Sequence, residues 1–157
     1  FTWAQKRLRV LSGLYGLLRP LDRIHPYRLE MGTALRNTAG KDLYEFWGGK
    51  VTQALNEALS GQRSKVLINL ASNEYYKVVQ AQNIDGRIVT INFKEWRRDA
   101  YRFVSFSAKK ARGLMARYMI DQRAEKADDL KAFDVEGYAF NEELSSRDEW
   151  IFTRHID

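Results

Sequence analysis

The chain has 157 residues, 45% of them hydrophobic, 13% aromatic and 29% charged, with no cysteine. That composition suits a folded domain with a sizeable core and excludes disorder as the main state. It also excludes disulfide scaffolds, thiolate zinc sites and cysteine nucleophiles. The segment from Val10 to Leu18 is among the longest uncharged runs, and it is about half of what a membrane span needs. No signal-like apolar run opens the chain, so a cytoplasmic protein without a membrane partner is the default expectation. Residues 1–124 carry a balance of +12 and residues 125–157 one of −6, giving +6 in all. A basic body with an acidic end suits an anionic partner, although an ordinary solvated surface explains the same balance.

Only Pro20 and Pro26 break the chain, and no linker or repeat is visible, so a single domain over residues 1–157 is expected. Leu8 to Leu18 reads as a short strand entering a glycine turn at Gly13 and Gly16. Arg19 to Tyr27 reads as a proline-flanked loop. From Asp42 to Leu59, apolar residues recur at spacings of three and four, which predicts one helix closed by Gly61. Lys65 to Ala71 is an apolar run of the kind found in central strands. Ser72 or Asn73 then caps a helix running through Val79. Arg87 to Phe93 and Tyr101 to Phe106 are predicted strands, joined by a polar connector at Lys94 to Ala100. Ser107 to Arg123 is an amphipathic helix, Asp128 to Phe133 a shorter one, and Glu149 to Arg154 a closing strand. The class is therefore α/β or α+β, a mixed β-sheet with flanking helices.

The helix from Ser107 carries the strongest functional signal. Ala111, Leu114, Met115, Tyr118 and Met119 share a stripe that should pack on the sheet, with Lys109, Arg112 and Arg123 on one flank and Lys110 and Arg117 on the other. Lys109 and Lys110 fall in the expected first turn, where cations are unfavourable for the helix itself. An anion landing there would offset that cost, because a helix start is an anion site. Trp96, Arg97, Arg98, Tyr101, Arg102 and Phe103 interleave aromatic and cationic side chains as single-strand binders do. A loop tip followed by a strand with its aromatics in the core is the preferred explanation. Gly13-Leu14-Tyr15-Gly16 permits a close backbone approach to phosphate, but a tight turn accounts for it as well.

Catalytic candidates are few. His25 and His155 have no metal-site neighbourhood, so no metal and no cofactor is expected. Ser72 ends an apolar strand, where α/β folds place ligand groups, with Glu74 and Lys77 nearby in sequence. Without the G-x-S-x-G elbow, Ser72 is better read as a helix cap. Asp22 and Glu30 suit surface pairing with Arg19 and Arg28.

Six blocks in order then add up to more than these local signals. They are LSGLYGLLRPLD (Leu11 to Asp22), PYRLEMG (Pro26 to Gly32), GKDLYEFWG (Gly40 to Gly48), INLASNEYYK (Ile68 to Lys77), AKKARGLMARY (Ala108 to Tyr118) and EGYAFN (Glu136 to Asn141). Together they resemble the YaaA peroxide-stress-resistance family. The resemblance implies a bacterial cytoplasmic protein of oxidative-stress defence, linked to limiting reactive intracellular iron. It further implies double-stranded DNA binding through a basic cleft and a helix-hairpin-helix element. It also implies a preceding region with a short strand and that element, so the chain reads as a C-terminal part. Where the family usually carries a Lys/Gly-rich hairpin, this sequence has KEWRRDA (Lys94 to Ala100). On this basis the DNA- or anion-binding candidates are Arg19, Arg28, Lys109, Lys110, Arg112 and Arg117, with Tyr15, Ser72 and Glu74 as neighbours. The rival expectation is an enzyme acting on a small anionic, nucleotide-like substrate in the same cleft. Iron binding by the chain itself is not expected from two histidines and scattered carboxylates.

Overall fold

A computed structural model describes residues 1–156. In chain order the elements are α1 (Thr2–Arg7), β1 (Val10–Ser12), β2 (Gly16–Leu18), α2 (Leu43–Trp47), α3 (Lys50–Ser60), β3 (Val66–Asn69), α4 (Asn73–Tyr76), β4 (Arg87–Arg97), β5 (Ala100–Arg102), α5 (Ser105–Gln122), β6 (Ala139–Phe140) and β7 (Glu149–Arg154). They fall into two compact units. One comprises Phe1–Lys65 with Ala71–Gly86, the other Val66–Leu70 with Arg87 onward.

In the first unit, β1 and β2 form an antiparallel hairpin with Ser12 opposite Gly16. Both glycines of the LSGLYG block are required by close approach. A Cβ on Gly13 would sit 2.3 Å from the Leu29 carbonyl oxygen. Gly16 has φ +74°, and a Cβ there would meet the Trp47 ring at 2.8 Å. The same indole donates from Nε1 to the Gly13 carbonyl at 3.1 Å. The helix expected over Asp42 to Leu59 is two helices. Asp42 caps the first of them, α2, accepting from the Glu45 N–H at 2.9 Å. Gly48 then leaves helical geometry at φ +48°, ψ −123°, and α3 restarts at Lys50. Periodicity continues across the break because both helices bury one face, with Leu43, Val51, Leu55 and Leu59 inside. α1 has no counterpart in the sequence reading.

The second unit is a mixed five-stranded sheet in the order β3-β4-β7-β6, with β5 paired on β4. β3, β4 and β7 are parallel, while β5 and β6 are antiparallel to their partners. β3 lies at the edge, not in the centre as its apolar run suggested. β4 outruns the sequence expectation, since Lys94 to Arg97 continue it and no connector intervenes. Val89, Ile91, Phe93 and Glu95 alternate onto one face. The first three pack with Ala108, Ala111 and Met115 of α5 and with Leu130, Phe133, Tyr138, Trp150 and Phe152. The apolar stripe read from the α5 sequence thus does face the sheet. α5 begins at Ser105 because Val104, in extended geometry, is already its N-cap. Lys109 and Lys110 therefore stand in the second turn, not the first. Asp128 to Phe133 is a 3₁₀ segment, Ala127–Ala132, and β7 has the expected bounds.

Candidate functional site

Each unit holds some of the residues the sequence had singled out. Arg19, Arg28, Tyr15, Ser72 and Glu74 belong to the first unit, and Lys109, Lys110, Arg112 and Arg117 to the second.

In the first unit the polar candidates are committed to holding loops. Ser12, fully buried, hydrogen-bonds the Tyr27 hydroxyl and accepts from the Tyr15 N–H at 3.0 Å. The Tyr15 and Tyr27 rings meet edge-to-face at 5.5 Å, and the Tyr15 hydroxyl accepts from the His25 N–H. Ser72 accepts from the Tyr75 N–H at 3.5 Å, a helix cap as the sequence favoured. The Glu74 carboxylate accepts from the Gly32 N–H at 3.0 Å, and the Tyr44 hydroxyl donates to the Glu74 carbonyl. Lys77 lies over the Tyr44 ring at 4.7 Å. Arg19 pairs with Asp22 at 2.9 Å, and that hydrogen bond holds the Asp22 carboxyl below its ordinary range. Arg28 reaches Glu30 at 3.4 Å while its side chain stays almost wholly exposed.

In the second unit the cations of α5 divide. Lys110 Nζ sits 2.6 Å from Glu136, and Arg117 is 2.8 Å from Asp121. Lys109 is exposed and Arg112 half-buried, and neither has a carboxylate partner among the described residues. Burial pushes the Arg112 guanidinium below its ordinary value. α5 has no acidic residue of its own in its first turn and no side-chain cap at its start, although the Ser107 hydroxyl there is bonded to the buried Glu95 carboxylate.

Sequence reasoning missed a ladder of charges beneath this face. Register places Arg154 of β7 beside Glu95 of β4. Glu95 is 1% exposed and accepts from Arg97 at 2.8 Å and Arg154 at 3.3 Å. Burial works against its charge, but hydrogen bonds from Ser107, Arg97 and Arg154 outweigh that and hold the carboxyl below its ordinary range. Arg154 continues to Glu136 at 3.5 Å and lies 4.5 Å from the Tyr138 ring centre. The sequence signal was a charged residue at an inward parity of β4, legible only once the strand is known to run past Phe93.

Beyond Glu95 the β4–β5 hairpin carries Trp96, Arg97, Arg98, Arg102 and Phe103. With Val104 and Ile156 they line a cavity of about 720 Å³. The aromatics do not enter the core as the sequence reading preferred. Trp96 is 39% and Phe103 57% exposed. The Trp96 ring stacks on His155 at 5.3 Å, and the Tyr101 hydroxyl hydrogen-bonds His155 Nε2 at 3.0 Å. Among the described residues no three His, Cys, Asp or Glu side chains gather as a metal-binding group. None of their helices is long and apolar enough to cross a membrane.

Residues 1–144 match the family model for the peroxide stress protein YaaA. Proteins named UPF0246 are close relatives. One from Alteromonas mediterranea is 57% identical over 153 residues, covering 98% of this chain and 59% of its own length. One from Shewanella sp. strain MR-4 is 57% identical over 150 residues, covering 96% and 58%. One from Ralstonia nicotianae is 57% identical over 152 residues, covering 97% and 59%. The chain spans about three-fifths of the length of these curated relatives.

Proposed function

The chain belongs to the YaaA family of peroxide stress proteins, and from that membership we propose that it acts in the bacterial cytoplasm as a non-enzymatic DNA-binding protein, gripping the duplex mainly through phosphates. The observation that carries the proposal is the start of α5. Lys109 and Arg112 lie within one turn of each other without carboxylate partners among the described residues, behind a first turn that holds no acid. Cations left unneutralised by their own protein are those able to displace counterions from DNA. Lys110 and Arg117 share their charge with Glu136 and Asp121, so they contribute less. Arg19 and Arg28 of the first unit belong to the same proposal, each held by its own acid, Asp22 and Glu30.

A role in limiting reactive iron belongs to this proposal as a consequence of stress defence, not of metal held by this chain. The enzymatic alternative gains no support from Tyr15, Ser72 and Glu74, whose polar atoms are engaged in loop and cap hydrogen bonds.

The test is duplex binding across a salt series. Replacing Lys109→Ala together with Arg112→Gln should weaken binding similarly on unrelated sequences and flatten the log–log salt slope by roughly two units. The exposed Lys109→Glu variant, which disturbs no core contact, should weaken binding further at low salt. Wild-type affinity and slope in both variants, with circular dichroism unchanged, would remove α5 from the interface.

A further inference from the structure

We infer that the cavity between the β4–β5 hairpin and the start of α5 is a binding pocket for a nucleoside phosphate, taking an unpaired aromatic base together with its phosphate. Size is the first reason. At about 720 Å³ the cavity falls within the range of small-molecule sites, which run from about 300 to 1,000 Å³.

Its lining is the second reason. Among the described residues that line it, Arg97, Arg98 and Arg102 are the charged ones and none is acidic. Glu95 neutralises Arg97 and Asp99 neutralises Arg102 at 3.1 Å, whereas Arg98 has no acidic partner among the described residues. Trp96 and Phe103 supply the apolar ring surface that a base stacks on, and such stacking tolerates any base. His155, stacked on Trp96 and hydrogen-bonded by Tyr101, steadies the indole. A cationic, aromatic pocket of this size matches a group with one flat face and one anionic end.

The hairpin tip is the third reason. Arg98 has φ +64°, and the Asp99 N–H bonds back to the Arg97 carbonyl at 2.8 Å, a tight three-residue turn centred on Arg98. Such turns with positive φ are rare and strained, and glycine is their natural occupant. Here the strained position instead carries the pocket's unpaired guanidinium. Local strain retained at a cation on a cavity rim fits a binding role better than a turn selected for stability.

The pocket uses residues other than Lys109 and Arg112, so it stands or falls separately from the duplex-binding proposal. Arg98→Gly and Trp96→Ala are compared with wild type by titration with AMP and with a fluorescein-labelled twelve-nucleotide polythymidine strand. Arg98→Gly should weaken binding of the responding probe by roughly tenfold while the melting temperature stays equal or rises, because glycine relieves the turn. Trp96→Ala should lose a factor of roughly five to a hundred and sixty, the range for one stacked base. A response to the strand but not to AMP assigns the pocket to unpaired nucleic acid. A response to AMP as well assigns it to nucleotides whether free or in a chain. Failure of wild type to bind either probe below millimolar concentration overturns the inference, as does wild-type affinity in Arg98→Gly. If Lys109→Ala with Arg112→Gln loses duplex binding but keeps the polythymidine affinity, the two sites are distinct.

Discussion

Glu95→Gln tests the charge ladder on which the second unit is built. The substitution nearly keeps the shape of the side chain, so no cavity forms, but with the charge it also replaces one accepting oxygen by an NH2 donor. Of the bonds from Arg154, Arg97 and Ser107, those that meet the amide oxygen are weakened and those that meet the NH2 are lost. Arg154 is 16% exposed and would keep only its longer pair with Glu136, so losing the Glu95 carboxylate should cost about 1.5–3 kcal/mol. Arg97 is about half exposed and rehydrates, so its pair contributes only about 0.5–1 kcal/mol. The sum, about 2–4 kcal/mol at neutral pH, is close to the cost of breaking a buried ion pair by removing one partner. At about 2–4 °C per kcal/mol for a chain of this length, the melting temperature should fall by roughly 4–16 °C. The pH dependence supplies a sharper check. Because the folded carboxyl titrates below its ordinary value of 4.5, its contribution is complete above that value and is lost as pH falls through the lower folded value. Urea unfolding followed by circular dichroism should therefore show a constant gap between wild type and variant from pH 7 to 5. The gap should then shrink on further acidification. A gap below about 0.5 kcal/mol at pH 7, or one that does not close at low pH, would refute the assignment of Glu95 as a buried charged anchor.

Two further outcomes follow from the same structure. Gly16→Ala should destabilise the first unit by about 2–4 kcal/mol in urea melts, combining the positive φ with a Cβ forced against the Trp47 ring; a change within about 0.5 kcal/mol would show that the hairpin can move aside. β3 has β4 on one side and no strand of the sheet on the other among the described residues, and an unpaired apolar edge invites pairing with another copy. The 157-residue chain should therefore self-associate with rising concentration in sedimentation velocity, and a single monomeric species across the series would refute it.

Local elements were largely legible from the residues alone. The α5 stripe, the Ser72 cap and the bounds of β7 each depend on neighbours within a few positions, where periodicity and capping chemistry act. The six ordered blocks, from LSGLYG to EGYAFN, identified the family for the same reason: they are strings of residues and need no geometry. What a string cannot carry is pairing. That Lys94 to Arg97 extend β4 depends on β5 and β7 hydrogen-bonding alongside, and that extension places Glu95 beside Arg154 and lifts Trp96 and Arg98 to a cavity rim. The same pairing moved β3 from centre to edge, since apolar composition reports burial and not the number of neighbouring strands. Which cations stay free was likewise invisible. Lys110 and Glu136 are far apart in sequence yet 2.6 Å apart in space, while Lys109 beside it has no such partner among the described residues. Charge composition is a property of the chain, but salt screens exposed charges from one another beyond about 8–10 Å, so tertiary contact decided it.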